Sequence, residues 1–534
     1  MTDGDGPGQD LAPQELEHLL RGKPLLGQRL GHQPAANVVR DDAIHRLRGQ
    51  RAQVFAQHRD GARAEPVEVL AVLGEGMHGA AINAVRPRGV KYARSAILAR
   101  MRRFPAWVLG LGFVIAQGAL AQDAPSRPAM DAPELARLGT FGVGLRTIEL
   151  LHEAQAEVLA FDSAAGAAPL ADRKLAVDIW YPAQVDTRAA AETYSGSLTA
   201  EPPAPPARFT RPGIAVRDAP QAAGRFPLVV VSHGYDNESV LLGWLTENLA
   251  SKGYVVAAIR HADPPITQRD KFPQPLLRRP LDIAFVAARL QDTLGRTAGV
   301  DASRTALVGY SMGGYGVLTA AGAELDPDSP AASLVPGGLL KAYARGGSRC
   351  DAVRVKDVKA VVALAPAGGS LQAWGADGLR AITAPLLLIA GDRDGTVDYA
   401  SGARSFFDAA YNCERYLLTF RGAGHRIGLG PAPEGMRSRL WDQDWFEDPV
   451  WRSERIVGIN LHFITAFLDR YVKDDASRAA YLDGLPSDST KGDWPASSDG
   501  PYDAYSPGTG GVTVWKGFQR GHAEGLELLH AKPR

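Results

Sequence analysis

The sequence Gly309-Tyr310-Ser311-Met312-Gly313-Gly314 stands between an apolar run, residues 305–308, and a segment of small residues, 315–321. A short buried strand, a tight turn and a helix form the setting of a nucleophile elbow, in which the serine hydroxyl projects from the backbone. Glycines two positions before and after the serine let the strand and the helix approach closely. The pattern Gly-x-Ser-x-Gly is weak by itself in a chain with 58 glycines. The strand and the helix beside it indicate that Ser311 is a nucleophile.

An acid and a histidine follow Ser311, each after its own predicted strand. The apolar run 385–390 leads into Asp394, and the strand-like segment 415–420 ends shortly before His425. In a Ser-His-Asp triad the histidine takes the serine proton and the acid orients the imidazole. The order serine, acid, histidine is the order found in α/β-hydrolases. We therefore predict Ser311, Asp394 and His425 as the catalytic residues, with Asp392, two residues before Asp394, as the alternative acid.

A fourth element supplies a candidate oxyanion hole. An apolar strand over 226–232 ends in His233-Gly234-Tyr235. Two preplaced backbone N–H groups stabilise the oxyanion that forms in acyl transfer, and in this fold one follows the nucleophile while the other lies in an earlier loop. The predicted donors are the amides of Met312 and Tyr235. His233 precedes Ser311 in the chain, which is the wrong order for the base, so we expect it to be a structural part of this loop.

At this point the chain resembles a known family. The segment 226–234, the segment 249–261 and the motif Arg279-Pro-Leu-Asp-Ile283 resemble the platelet-activating-factor acetylhydrolase branch of the α/β-hydrolases, whose bacterial members are often labelled predicted dienelactone hydrolases. The resemblance extends over about 139–481. True dienelactone hydrolases use a cysteine nucleophile, whereas Ser311 stands at that position here. The resemblance therefore implies a serine ester hydrolase and argues against dienelactone as the substrate. The spacing Gly391-x-x-Asp394 is the one that the family uses, so the resemblance also implies that Asp394 is the acid and that Asp392 has a structural role, capping the loop.

Strand-like runs alternate with helix-like segments from residue 226 onward. The predicted strands are 228–232, 255–259, 305–309, 358–363, 385–390 and 415–420, and the predicted helices are 239–252, 280–294 and 454–471. Such alternation is typical of a mostly parallel sheet covered on both faces. Upstream, antiparallel strands are predicted over 141–151, 156–161 and 175–181. The predicted fold class is α/β, an α/β-hydrolase fold with a mostly parallel sheet of the eight-stranded type and antiparallel N-terminal strands.

The first part of the chain differs in composition from the rest. Residues 1–100 contain only two aromatic residues, Phe55 and Tyr92, and such a segment has little material for a core. Residues 101–121 combine two arginines, an apolar stretch over 104–116 and the small-residue motif Ala119-Leu120-Ala121. These are the parts of a secretory signal peptide. We therefore expect translation to start at Met101 and the protein to be periplasmic or secreted. The alternative is a cytosolic protein with a long disordered arm.

The expected organisation follows from these boundaries. Residues 1–100 are an upstream extension without a fold, 101–121 a signal peptide, 122–483 the α/β-hydrolase catalytic domain and 484–534 a loose C-terminal tail rich in Ser, Asp, Gly and Pro. The apolar stretch 104–116 is short for a spanning helix, so no stable membrane span is expected in the mature form.

Composition limits the classes of partner. Lysine plus arginine equal aspartate plus glutamate at 59 each, so nothing indicates a nucleic-acid partner. The chain has no Cys/His metal spacing and no glycine-rich nucleotide loop, so we predict no metal and no cofactor. Cys350 and Cys413 are the only cysteines. In an exported protein they can form a disulfide or remain two unpaired thiols, and the sequence leaves both open.

Three functions are compatible with these residues. The first is a serine esterase that acts through an acyl-enzyme on short-chain esters, with acetylhydrolase-like or polyester-type substrates implied by the resemblance. The second is a serine peptidase or acyltransferase, because amide cleavage and acyl transfer use the same triad. The third is a non-catalytic binding protein, which the intact set of site residues disfavours. We therefore predict a small-molecule ester as the substrate.

Overall fold

A ten-stranded mixed sheet forms the centre of the protein. The computed structural model describes residues 132–186, 188–200, 202–297, 299–493, 514–519 and 521–534. The strands of the sheet, in spatial order, are β12-β11-β10-β9-β8-β6-β7-β2-β1-β5, and β3 and β4 form a separate hairpin. In chain order the strands are β1 Gly142–Ala156, β2 Leu170–Ala183, β3 Thr193–Leu198, β4 Ala207–Pro212, β5 Val216–Arg217, β6 Phe226–Ser232, β7 Val255–Arg260, β8 Val300–Tyr310, β9 Val358–Leu364, β10 Leu386–Gly391, β11 Arg415–Phe420 and β12 Leu526–Ala531.

The six strands from β6 to β11 run parallel to one another. Their apolar runs are buried along almost their whole length; all seven residues of β6 and all six of β10 are buried. Continuous apolar runs of this kind belong to parallel strands covered on both faces. At one side β1 and β2 pair antiparallel, and β2 pairs antiparallel with β7. The predicted α/β-hydrolase fold is confirmed, with ten strands in the sheet rather than eight.

Helices cover this sheet. Contacts join α1 to α7 and α2 to α3, and each of the four packs against sheet strands. The α-helices are α1 Gly243–Ser251, α2 Pro273–Thr297, α3 Met312–Ala320, α4 Pro330–Leu334, α5 Ser405–Ala409, α6 Leu440–Gln443 and α7 Ser453–Val472. Within the described ranges, none of the helices has both the length and the apolar composition needed to cross a bilayer.

The C-terminal region differs from the expected loose tail. Residues Leu526–Ala531 form the edge strand β12, which pairs antiparallel with β11 from Arg415↔Ala531 to Phe420↔Leu526. Leu526 and Leu528 are buried in the core by this pairing. The alternation of Leu-Glu-Leu over 526–528 fits an edge strand with one buried face. The polar residues before it hid this signal, because a partner more than a hundred positions away supplies the other half of the ladder.

Three further expectations have separate outcomes. The segment predicted as a strand over 156–161 is the end of β1 followed by a short 3₁₀ turn, Val158–Ala160. The upstream extension 1–100 and the signal peptide 101–121 lie outside the described residues. Cys350 and Cys413 are both free thiols in the structure.

Candidate active site

Ser311 lies in the sharp turn between β8 and α3. Its φ of 54° and ψ of −115° place this non-glycine residue in a strained backbone region, which costs about 1–3 kcal/mol. A Cβ atom on Gly309 would lie 2.2 Å from the Gly313 carbonyl oxygen, and one on Gly313 would lie 2.0 Å from the Ser232 carbonyl oxygen. Only glycine allows strand and helix to approach this closely, so the two glycines of the motif make the elbow possible.

The structure brings the three predicted triad side chains together. Ser311 Oγ lies 2.9 Å from His425 Nε2, and His425 Nδ1 lies 2.7 Å from Asp394 Oδ2. The Asp394 side chain is 1% exposed and that of His425 is 13% exposed. Each residue follows the carboxyl end of a strand, β8, β10 and β11 respectively. In α/β sheets the carboxyl ends of the strands are where ligands bind.

The second carboxylate oxygen of Asp394 fixes the orientation of the group. Asp394 Oδ1 accepts hydrogen bonds from the backbone N–H groups of Thr396 at 2.9 Å and Val397 at 3.0 Å. Burial by itself raises the pKa of Asp394, but His425 and these two N–H groups outweigh it and hold that pKa below its usual value. The carboxylate is therefore ionised at neutral pH, and its other oxygen, Oδ2, faces the imidazole.

Asp392 has the structural role expected from the sequence. Its Oδ1 accepts from the Gly422 backbone N–H at 2.6 Å, which ties the loop after β10 to the loop after β11. Asp448 ties the same region from the other side, because its Oδ2 accepts from the Gly424 N–H at 2.7 Å. Both carboxylates brace the backbone beside His425.

The amides of Tyr235 and Met312 are the two predicted oxyanion donors. Met312 is the first residue of α3, where the N–H groups of a helix have no partner within the helix. Tyr235 follows β6 and the His-Gly turn. Neither amide donates a hydrogen bond to any other described residue. Both remain available to a substrate oxygen.

His233 belongs to the loop 233–235, called the oxyanion loop because it carries the predicted donor Tyr235. Its Nδ1 is 2.8 Å from the carbonyl oxygen of Gly234, and its Nε2 is 3.4 Å from the His261 backbone N–H. Burial, as the main cause, lowers its pKa to about 4. The ring is neutral at pH 7, which agrees with the structural role expected of it.

A second Ser-His-Asp array escaped the sequence analysis. Ser232 Oγ lies 2.9 Å from His261 Nε2, and His261 Nδ1 lies 2.8 Å from Asp282 Oδ2. All three residues are at most 1% exposed, so no substrate reaches them. Arg173 pairs with Asp282 and offsets its charge. Ser232, His261 and Asp282 lie one in each of the three segments that carry the family resemblance, but nothing near them in the chain indicated that they meet.

The long segment after His425 carries three tryptophans, Trp441, Trp445 and Trp451. Trp451 is 5% exposed and packs edge-on against Phe420 of β11 with ring centroids 5.1 Å apart. Its Nε1 donates to the Arg421 carbonyl oxygen at 2.8 Å. For Trp451 the structure favours packing. Trp441 and Trp445 are partly exposed.

One group of side chains has the spacing of a metal site. Glu414, Asp483 and His530 each offer a ligand atom within 4.8 Å of the others. Glu414 precedes β11, so the group lies at the amino end of that strand, whereas His425 follows its carboxyl end. Arg470 Nη1 lies 2.6 Å from Asp483 Oδ1, and a guanidinium already offsets the negative charge there. The group has no connection to the triad, and the absence of a cofactor stays a prediction.

Comparisons with known proteins add a family match. Residues 213–336 match the family model described as PETase, PET hydrolase-like. These residues include the oxyanion loop and the elbow, and they are less than half of the chain. No curated protein matches the sequence. Among solved structures, a ferulic acid esterase from Streptomyces cinnamoneus is similar, with 20% identity, coverage of 66% of this chain and 93% of that chain, and a TM-score of 0.42.

The site and the family match agree in what they indicate. The triad geometry provides a nucleophile, a base and an ionised acid in one hydrogen-bonded line. The matched segment, 213–336, includes Ser311 and is similar to the PET hydrolase-like family. Together they indicate a serine esterase with an α/β-hydrolase fold.

Proposed function

We propose that the protein hydrolyses carboxylic esters through a covalent acyl-enzyme on Ser311, with His425 as the base and Asp394 as its partner. The observation that carries the proposal is the continuous line from Ser311 Oγ to His425 Nε2 at 2.9 Å and from His425 Nδ1 to Asp394 Oδ2 at 2.7 Å. Both links are within hydrogen-bond distance, as a nucleophile, its base and the orienting acid require.

In the first half of the reaction Ser311 Oγ attacks the ester carbonyl carbon and its proton passes to His425 Nε2. The carbonyl π electrons move to the oxygen, which becomes an oxyanion between the amides of Tyr235 and Met312. Removal of one such donor typically costs about 10²–10³ in kcat. The intermediate collapses, the alkoxide leaves with the proton from His425, and the acyl group stays on Ser311.

In the second half water takes the place of the alcohol. His425 removes a proton from the water, the hydroxide attacks the acyl carbon, and the second oxyanion occupies the same donors. Collapse returns the proton from His425 to Ser311 Oγ and releases the acid. Asp394 stays ionised throughout, because its low pKa keeps it a carboxylate that stabilises the imidazolium.

We infer short-chain esters as the substrate class, of the acetylhydrolase-like or polyester type. The resemblance of residues 226–234 and 249–261 supports substrates of the acetylhydrolase-like type. The match of 213–336 to the PET hydrolase-like family supports substrates of the polyester type. Both predict an acyl pocket suited to small acyl or aromatic acyl groups.

The test compares the wild-type protein with Ser311→Ala and with Ser303→Ala, an exposed serine on the same strand. The substrates are p-nitrophenyl acetate, butyrate and decanoate, a terephthalate diester and a peptide p-nitroanilide. We expect a burst of p-nitrophenol with the wild type and Ser303→Ala and none with Ser311→Ala. The highest kcat/KM is expected on the short esters. Faster turnover of the anilide would favour a peptidase, and no turnover by a folded protein would contradict the proposal.

We also propose that the protein is exported to the periplasm or secreted. The support is the sequence of residues 101–121, with two arginines, an apolar stretch and a small-residue cleavage motif. Intact-mass measurement of the protein purified from its native cells is expected to find Gln122 at the N-terminus. A mature protein that retains residues before Gln122 would contradict this proposal.

A further inference from the structure

The loop that carries Tyr235 rests on a buried charge pair. Arg279, in α2, has a fully buried side chain, and that of Asp263 is 5% exposed. Arg279 Nε donates to Asp263 Oδ1 at 3.2 Å, and Nη2 makes a second, close contact with Asp263 Oδ2. Burial alone raises the pKa of Asp263, but Arg279 outweighs it and keeps that pKa below its usual value. Because burying two charges carries a large desolvation penalty, the position of this pair needs a physical reason.

The reason is visible in the backbone contacts of Arg279. Its Nη1 donates to the His233 carbonyl oxygen at 2.5 Å, and its Nη2 donates to the Gly234 carbonyl oxygen at 2.9 Å. The neutral ring of His233 places Nδ1 at 2.8 Å from the same Gly234 oxygen, and a neutral imidazole donates there only from a protonated Nδ1. Two side chains thus hold the Gly234 carbonyl in one direction.

The direction of that carbonyl determines the direction of the next amide. The peptide between Gly234 and Tyr235 is trans, and in a planar trans peptide the C=O and N–H bonds point in opposite directions. With the Gly234 carbonyl held toward Arg279, the Tyr235 N–H points away from Arg279. That N–H has no acceptor among the described residues, so it is free to donate to a substrate oxygen.

We propose that Arg279 is a positioning residue for the oxyanion hole, which aims the Tyr235 N–H by holding the Gly234 carbonyl while Asp263 holds the guanidinium. The inference rests on the proposed esterase function. The planar fork of arginine suits this task, because it reaches two carbonyls and a carboxylate at once. A lysine ammonium is a point charge on a flexible stem and lacks that geometry.

The second Ser-His-Asp array extends the support to the end of β6. Arg279 Nη1 lies 3.1 Å from Ser232 Oγ, and the hydroxyl also contacts His261. The carbonyl oxygen of Ser232 faces the elbow, where a Cβ on Gly313 would touch it. The oxyanion loop and the turn at Ser311 therefore share one buried support, in which Arg279 is paired with Asp263 and Arg173 with Asp282.

The experiment compares Arg279→Lys with the matched control Arg278→Lys. Arg278 is the neighbouring residue of α2, and its side chain pairs with Glu157 rather than with the oxyanion loop. A second variant, Arg279→Met with Asp263→Asn, removes both charges and so leaves no unpaired buried ion. Steady-state kcat and KM are measured on p-nitrophenyl butyrate. In a separate measurement, the affinity is determined for a trifluoromethyl ketone, to which Ser311 adds to form an adduct with an oxyanion. The matched secondary alcohol, which forms no adduct, reports ground-state binding.

We expect kcat of the two Arg279 variants to decrease by about 10- to 100-fold. A misaligned donor still stabilises the oxyanion in part, so the loss is smaller than when a donor is removed altogether. Affinity for the ketone falls by the same factor, while KM and affinity for the alcohol change little. Arg278→Lys stays close to the wild type. A merely structural role would lower the melting temperature without this selective loss for the ketone.

Several results would overturn the inference. Folded Arg279 variants with wild-type kcat, or with lowered kcat and wild-type ketone affinity, would each contradict it. If neither variant folds, Asp263→Asn keeps Arg279 and weakens its hold, and wild-type ketone affinity there would also contradict it. A wild-type protein without ester hydrolysis, or an active Ser311→Ala, would instead refute the proposed function.

Discussion

Replacement of Asp394 by asparagine tests the predicted triad at its most specific point. Oδ1 of Asp394 accepts from the N–H groups of Thr396 and Val397, while Oδ2 faces His425 Nδ1 at 2.7 Å. In Asp394→Asn the remaining oxygen keeps the two backbone donors, because the NH₂ group cannot accept from them. The NH₂ group therefore points at Nδ1 of the imidazole.

This orientation gives the imidazole the wrong tautomer. With an N–H donor facing it, Nδ1 must act as the acceptor, so the proton moves to Nε2. Nε2 then donates to Ser311 Oγ and cannot take its proton. For the equivalent change in a serine protease triad the loss in kcat is about 10⁴, which corresponds to about 5.4 kcal/mol in the activation free energy. We expect a loss of that order here, with the fold retained.

The assay is p-nitrophenyl acetate hydrolysis at pH 7.5, with Asp392→Asn as the matched control. Among the described residues, the Gly422 N–H is the one donor to Asp392 Oδ1, and an asparagine oxygen can keep that bond. The control is therefore expected to retain most of the activity of the wild type. A kcat for Asp394→Asn within tenfold of the wild type, or a larger loss in Asp392→Asn, would refute the reasoning.

Three further changes test other parts of the structure. Burial, as the main cause, lowers the pKa of His233 from 6.5 to about 4. Below pH 6.5 the unfolded protein therefore binds a proton at this histidine while the folded protein does not, and the free energy of unfolding decreases by about 3 kcal/mol between pH 6.5 and 4. A denaturant midpoint that is as high at pH 4.5 as at pH 7.5 would contradict this. Gly313→Ala, whose Cβ would lie 2.0 Å from a carbonyl oxygen, is expected to lose about 1–3 kcal/mol of stability and most of its activity. The control Gly435→Ala, with its nearest contact at 3.8 Å, should retain both in thermal melts and esterase assays. Since Cys350 and Cys413 are free, two thiols should react in the unfolded protein without reductant, and a reductant should leave the melting temperature unchanged.

The strands of the central sheet were readable in the sequence because each is an almost unbroken apolar run. The prediction over 228–232 became β6, Phe226–Ser232, and that over 415–420 became β11 with the same bounds. Because these strands are buried on both faces, their residues form continuous apolar runs instead of an alternation of apolar and polar residues. The helix predicted over 280–294 is longer, Pro273–Thr297, because the internal Pro280 obscured its first turns.

Elements that depend on distant partners were not readable. The edge strand β12 exists because β11 offers it an unpaired edge, and nothing near Leu526–Ala531 in the chain reveals that edge. The buried charges of Arg279, Asp263 and Asp282 were missed for a similar reason. Charged residues are almost always exposed unless they are paired, and the pairing appears only when α2 packs behind the loop after β6.

The sequence by itself determined the order of the candidate site residues: a serine between two glycines, then Asp394, then His425, each after an apolar strand. Local residue types suffice for this, because the elbow requires glycines and parallel strands require apolar runs. Tertiary structure alone brought Asp394 to the imidazole and placed Arg279 against the carbonyl of Gly234. A hydrogen bond depends on the positions of its donor and acceptor atoms to within a fraction of an ångström. Those positions are set by packing between elements far apart in the chain.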